Sequence, residues 1–178
     1  MLKHPLQSVL LLGLALLTAV QVMELVSHDS EPGGLVRAWL EPGDDLSSLT
    51  AATSAGQSVS LATGDTVIVL VFDPHCGHSL EVAPVWRDWI SAHEASYRLI
   101  GISSGDLTEA EAFARDQAWE MEIGTVSALN GSLGHALTVR TPWAFILDEA
   151  GQVVAEGIGS RIGELLPEGR GQTRMEGP

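Results

Sequence analysis

The sequence holds one cysteine among its 178 residues. A lone thiol cannot close an internal disulfide, so the fold stands on its packed core alone. It equally excludes a zinc site built from four cysteines. Any disulfide chemistry has to be intermolecular. Positive charge is almost as scarce. Lys3 is the only lysine, and eight arginines complete a set of nine basic residues against 23 acids, for a net charge of −14. A surface of that sign repels nucleic acid and anionic lipid headgroups, so neither is expected as a partner of the soluble part. Solubility is the simplest reading of the acidity. What the chain does have is apolar content, 45% of it, enough for a real core and too much for general disorder. Its length suits one ordinary domain with an anchor or a tail.

Charge is also missing locally. The twenty residues between Lys3 and Glu24 include no Lys, Arg, Asp or Glu, and they contain the run Val9-Leu10-Leu11-Leu12-Gly13-Leu14-Ala15-Leu16-Leu17. As a helix, about 20 residues span roughly 30 Å, the thickness of a bilayer's hydrocarbon core. A cleaved signal peptide is the rival. Leu17-Thr18-Ala19 fits a small-x-small cleavage site poorly, and apolar character runs on through Val20, Val22, Met23, Leu25 and Val26. Residues 1–26 are therefore expected to form an uncleaved transmembrane anchor. Lys3 precedes it and the next basic residue is Arg37. The positive-inside rule then puts the following domain in the periplasm or its equivalent, where disulfides are permitted. Residues 27–45 read as a linker, with a short strand over 35–40. Residues 46–166 read as the domain. Residues 167–178, rich in Gly, Pro and charge, read as a disordered tail.

Within the domain, Val59 and Leu61 alternate with Ser58 and Ser60 after the Gly56-Gln57 turn, a half-buried strand pattern. Thr66 to Phe72 is a continuous β-branched and apolar run, as in a strand buried on both faces. From Ser79 the period turns helical, with Val82, Val85, Trp86, Trp89 and Ile90 recurring at three- and four-residue spacing and Pro84 inside, where a kink is expected. Tyr97 to Ile102 reads as a strand. Thr108 to Glu111 has capping-box spacing ahead of a helix ending near Trp119. A short helix is expected over 130–137 and a strand over 143–147. A tight turn at 148–151 then leads into a return strand over 152–156, and a last short helix follows over 161–166. Strands and helices alternate and a hairpin closes the order, which predicts an α/β fold with a central mixed sheet flanked by helices.

Cys76 falls where the buried strand gives way to a helix. A first helical turn presents free N–H groups and the positive end of the dipole, so a thiol there ionises more readily, and the thiolate is the nucleophile. His75 and His78 flank it and could stabilise the thiolate or relay a proton. Ser79 could donate a hydroxyl hydrogen bond to the sulfur. Gly77 is expected to let the backbone turn tightly and leave the sulfur uncovered. The plainer alternatives are a small buried hydrophobe for Cys76, solvated histidines, and a serine that satisfies backbone groups.

At these residues the chain resembles the thioredoxin-like superfamily. Val67–Phe72, then Cys76, then Pro84 eight residues on, resembles that family's strand, active-site cysteine and proline-bearing helix. Thr141-Pro142-Trp143 through Gln152-Val153-Val154 resembles its cis-proline loop and closing hairpin. Cys76 and Pro142 lie 66 positions apart. That spacing is similar to the membrane-anchored extracytoplasmic redoxins (TlpA- and ResA-like), which carry an extra strand–helix insertion, and the early hairpin near Gly56–Leu61 resembles theirs too. The resemblance implies a cis peptide at Thr141-Pro142 facing Cys76, in a loop that offers its backbone to an extended substrate. On the local reading Gly77 joins Thr141 and Pro142 against that substrate, and Ser79, His78 and His75 are the candidates beside the reacting sulfur of Cys76. No cofactor is implied.

One departure narrows the chemistry. The family's Cys-x-x-Cys is here Cys76-Gly77-His78-Ser79, so the resolving thiol is missing. The buried acid that many thioredoxins carry is also absent from Val67–Phe72. Three functions follow. The first is a monothiol oxidoreductase that exchanges with a protein or small-molecule thiol or disulfide through Cys76. The second is a redox-inactive module that holds a peptide or protein at the Thr141-Pro142 loop. The third is a copper or zinc site at His75, Cys76 and His78, with His135 approaching. Three ligands within four residues make poor tetrahedral geometry, which sets the third behind the others.

Overall fold

Val67–Phe72 (β3) organises the domain. All six residues are buried, as a run with no polar member requires of a central strand. Arg98–Ser103 (β4) lies parallel beside it, and Glu122–Thr125 (β5) lies parallel beside β4. On the other flank Trp143–Leu147 (β6) runs antiparallel to β3, and Val153–Ile158 (β7) runs antiparallel to β6. Thr50–Ala52 (β1) and Ser58–Ser60 (β2) form a hairpin that joins the far side of β5. The sheet order is β2-β1-β5-β4-β3-β6-β7, seven strands of mixed direction. This is a computed structural model, and it describes residues 39–54, 56–126 and 131–166. The expected anchor over 1–26, most of the 27–45 linker and the tail over 167–178 lie outside the described residues. No helix among the described residues is long and apolar enough to cross a membrane.

Alternation along the central strands divides the core in two. Ile68, Leu70, Phe72 and Ala144 face the helices Gly77–His93 (α1) and Leu107–Asp116 (α2), packing with Val82, Ala83, Trp86, Ile90, Ala110 and Ala114. Val67, Val69, Val71, Phe145 and Leu147 face the opposite layer, where Gly131–Thr138 (α3) contributes Ala136 and Leu137. A short 3-10 turn, Gly159–Arg161, and the helix Ile162–Leu165 (α4) close the chain against β7. Each fully buried aliphatic side chain is worth about 1.5–3 kcal/mol of transfer free energy, so two apolar layers around one sheet suffice without a disulfide.

Where the structure differs from the sequence pattern, the differences have local causes. β1 (Thr-Ala-Ala) and β5 (Glu-Ile-Gly-Thr) are three and four residues long, too short to show alternation. The cap of α2 is Asp106, whose carboxylate accepts the N–H groups of Thr108 and Glu109 at 2.8 and 3.2 Å, rather than the Thr108–Glu111 box. α1 starts at Gly77, two residues before Ser79. The domain also takes in the end of the segment read as linker. Leu40 is buried in the core, and Gly43 N–H donates to the Val153 carbonyl at 2.7 Å while Val153 N–H donates to the Asp44 carbonyl at 2.9 Å. Those backbone bonds come from a Glu-Pro-Gly-Asp-Asp turn whose polarity hides its packing.

Candidate functional site: a half-buried thiol facing a cis-proline loop

The site is assembled at the ends of β3 and β6. β3 stops at Phe72, and Asp73 then folds the chain into the start of α1. Its carboxylate accepts the His75 N–H at 2.8 Å, its carbonyl accepts the Cys76 N–H at 3.0 Å, and its own N–H donates to Ser79 Oγ at 3.2 Å. An Asp ahead of Pro-His forms turns through this Asx geometry. Asp73 is not among the residues that the sequence singles out for the site, although its Asp-Pro pair signals a turn.

These bonds place Cys76 at the N-cap of α1, with extended φ and ψ of −81° and 120°. The thiol is half-buried and unbridged. Across from it the Thr141–Pro142 peptide is cis, and the sulfur lies 3.9 Å from the Thr141 carbonyl, to which the S–H donates. Pro142 is held from behind, its carbonyl accepting the Gly159 N–H at 3.2 Å. The thiol and the proline loop, 65 residues apart at Thr141, therefore meet because β3 and β6 are paired with Val71 opposite Trp143.

The thiol's pKa is lowered below its ordinary value. The largest cause is the Ser79 backbone N–H, opposed by partial burial and helped by the Thr141 side chain, the His78 N–H and the Ser79 hydroxyl. The first-turn N–H groups point toward the sulfur from beyond capping-bond geometry, and together with the Thr141 and Ser79 side chains they favour its ionised form. A depressed acid favours the ionised native state. That contribution to stability is present above the unfolded thiol's pKa and is lost as pH falls through the lowered one.

The other sequence candidates divide. Ser79 is buried, and its oxygen serves both the Asp73 N–H and the thiol. The histidines turn elsewhere. His75 Nε2 pairs with Glu109 Oε2 on α2 at 2.9 Å, which raises its pKa, chiefly through that hydrogen bond. His78 Nδ1 lies 3.4 Å from Glu81 Oε2, and both side chains are exposed. The direct stabilisation of the thiolate expected from their imidazoles is replaced by backbone N–H groups. Glu109 lies 34 residues from His75, and no local pattern points to it. The tight turn expected of Gly77 is not one that needs glycine. Gly77 is not among the glycines of positive φ, and a Cβ there would meet nothing within 4 Å. Among the described residues no group of three or more His, Cys, Asp or Glu is placed to hold a metal ion, and His135 is no exception.

Beside the thiol runs an open cleft of about 520 Å³. His78, Glu81 and Val82 of α1 form one wall, and Val139 to Trp143 with Ile158 form the other. Val139 and Ile158 are 45% and 46% exposed, which leaves an apolar lip on the proline side.

No family sequence profile matches the chain, and no curated protein matches it in sequence. Solved structures do. The thioredoxin domain of a thiol-disulfide oxidoreductase from Bacteroides vulgatus is similar at 18% identity and TM-score 0.56, over 67% of this chain and 89% of that one. A thiol:disulfide interchange protein from Bacteroides sp. is similar at 17% identity and TM-score 0.57, over 70% and 86%. The dsbF protein of MTB, in mixed oxidised and reduced forms, is similar at 17% identity and TM-score 0.52, over 67% and 89%. Identities this low speak to architecture alone. On that footing, the chain has the α/β thioredoxin-like fold, with a half-buried thiol at the strand–helix junction and a cis-proline loop against it.

Proposed function

We propose that this protein is a monothiol thiol-disulfide oxidoreductase acting through Cys76. The observation that carries the reading is the placement of a pKa-lowered, half-buried thiol at a helix N-cap, 3.9 Å from the carbonyl that precedes a cis proline. The Cys76 thiolate attacks one sulfur of a partner disulfide. A new bond forms between Cys76 and that sulfur, the old S–S bond breaks, and the second sulfur leaves as a thiolate. An external thiol then attacks the partner's sulfur, and Cys76 departs as thiolate. One disulfide has been exchanged for another and the protein is unchanged. Ser79 keeps the first-turn geometry but supplies no second sulfur, so the mixed disulfide waits for that external thiol. The cleft beside Pro142, with its apolar lip, suits an extended peptide segment around the reacting sulfur. Residues 1–26 anchor the domain in the membrane and hold it on the extracytoplasmic side, where disulfides persist.

The histidines are committed to Glu109 and Glu81, which argues against a copper or zinc site. The rival with an observation in its favour is a redox-inactive peptide-binding module, since the cleft needs no reactive thiol to hold a segment. It expects function to survive Cys76→Ser. Incubation with an excess of a small disulfide, followed by mass spectrometry, tests the monothiol reading. The monothiol reading expects one adduct per chain, at Cys76, reversed by an added thiol and absent in Cys76→Ser. No adduct on the folded wild-type protein would sink it.

A further inference from the structure

Just ahead of the cis proline, Arg140 is held on three sides. Its guanidinium carbon lies 4.9 Å from the centre of the Trp39 ring and 4.8 Å from that of Trp143. Its Nη1 lies 3.8 Å from Glu156 Oε2. That same carboxylate oxygen accepts the Trp143 indole N–H. Trp143 and Glu156 come from neighbouring strands, because β6 and β7 pair with Phe145 opposite Glu156, and this puts both side chains on one sheet face. The guanidinium is thus sandwiched between two indoles and tied to the acid that fixes one of them.

Such a clamp works against the usual freedom of a surface arginine. Arg has many rotamers, and ordering it costs side-chain entropy. Its planar, weakly hydrated cation offsets that cost by stacking on aromatic faces, which a lysine does less well. The result is rigidity at one place. Arg140 is the residue before Thr141, whose carbonyl faces the Cys76 sulfur, and both residues line the cleft.

We propose that Arg140, clamped by Trp39, Trp143 and Glu156, is a positioning residue that fixes the Thr141-Pro142 loop for an incoming peptide disulfide. This rests on the reading of Cys76 as the nucleophile. Trp39 belongs to the segment just upstream of the sheet, so that segment is part of the site and not only a tether. The role is separable from thiol chemistry as such. A small alkylating reagent needs only the sulfur, whereas a peptide needs the loop as well.

The test compares two reagents on the full chain. One is a short unstructured peptide whose cysteine is disulfide-linked to thionitrobenzoate, so that attack by Cys76 on the peptide sulfur releases the coloured thiolate. The other is iodoacetamide. Arg140→Ala is expected to slow the peptide reaction severalfold or more, up to the roughly hundredfold that a misplacement of about 1 Å can cost, while alkylation, which needs only the sulfur, stays nearly unchanged. Trp39→Ala removes one half-exposed plate outside every strand and helix. It is expected to move the peptide rate in the same direction by a smaller factor, and it serves if Arg140→Ala does not fold. Arg140→Lys is expected to restore only part of the rate. Equal peptide rates in wild type, Arg140→Ala and Trp39→Ala would overturn the positioning role. So would parallel loss of both reactions, which marks a merely structural residue. A wild-type protein that alkylates but never releases the coloured thiolate would overturn the nucleophile reading itself, and this proposal with it.

Discussion

Ser79→Cys is expected to abolish accumulation of the mixed disulfide. In the wild-type protein an adduct formed at Cys76 has no neighbour able to attack it, because Cys76 is the only cysteine. Ser79 is buried one helical turn along, and its hydroxyl is among the groups acting on the Cys76 thiol. A sulfur introduced at that position is within reach of an exchange that joins it to the Cys76 sulfur and expels the partner as its thiolate. Intramolecular attack carries an effective concentration that an external thiol at ordinary levels does not match. Quantitative mass spectrometry after a pulse of small disulfide gives the readout. Wild type should be trapped as the adduct. The variant should be found as an internally oxidised chain, lighter by two hydrogens than its reduced form, with released thiol in solution. The variant also removes the Oγ that accepts the Asp73 N–H at 3.2 Å, so it should be somewhat less stable, by about 1–3 kcal/mol for an orphaned buried donor. Persistence of the adduct in a folded Ser79→Cys protein would mean that the serine does not occupy a resolving position.

The second large effect concerns the far side of the same loop. Trp86→Ala is expected to cost about 3–5 kcal/mol, the range for emptying a buried aromatic site. Trp86 is 1% exposed, packs 5.6 Å from the Trp119 ring, and donates its indole N–H to the Gly159 carbonyl at 2.8 Å. Residue 159 is glycine because the ring lies against it: a Cβ added there would come within 2.4 Å of the Trp86 ring. The Gly159 N–H in turn holds the Pro142 carbonyl. The indole therefore links α1, which carries Cys76 at its start, to the loop that faces Cys76. For a domain whose whole stability is of order 5–15 kcal/mol, a loss of this size is a large fraction. Urea unfolding followed by far-UV circular dichroism measures it, and a loss under about 1.5 kcal/mol would contradict the packing described, being well short of the usual cost of an aromatic deletion.

Much of this architecture was legible in the sequence because its signals are local. Val67–Phe72 has no polar residue to expose, so a central strand was the natural place for it. The helical period from Val82 to Ile90 and the turn at Asp148–Gly151 are equally self-contained. The placement of Cys76 opposite Thr141-Pro142 was legible only through resemblance, because two segments 65 residues apart meet through strand pairing and not through spacing. What stayed hidden was side-chain direction. Nothing near His75 in the chain indicates that Glu109 will capture it, and nothing near Arg140 indicates Trp39 or Glu156. The imidazoles flanking a cysteine suggested direct help to the thiolate. The fold turns them outward to carboxylates and leaves that role to backbone N–H groups of the first helical turn. Asp44 and Leu40 were hidden for the opposite reason, a polar turn that nevertheless docks on β7.

The central claim is that Cys76 is a nucleophile made ready by its position. It is tested most directly by the rate of Cys76 alkylation with iodoacetamide as a function of pH, with the same measurement in urea as the unfolded reference. Rate follows the thiolate fraction, so the midpoint reports the pKa. Because the native thiol is shifted down, the folded protein is expected to alkylate with a midpoint below that of the unfolded chain, near about 8.5, and to react faster than it at mildly acidic pH. A folded midpoint equal to or above the unfolded one would contradict the account, leaving a thioredoxin-like scaffold whose single cysteine is a passenger.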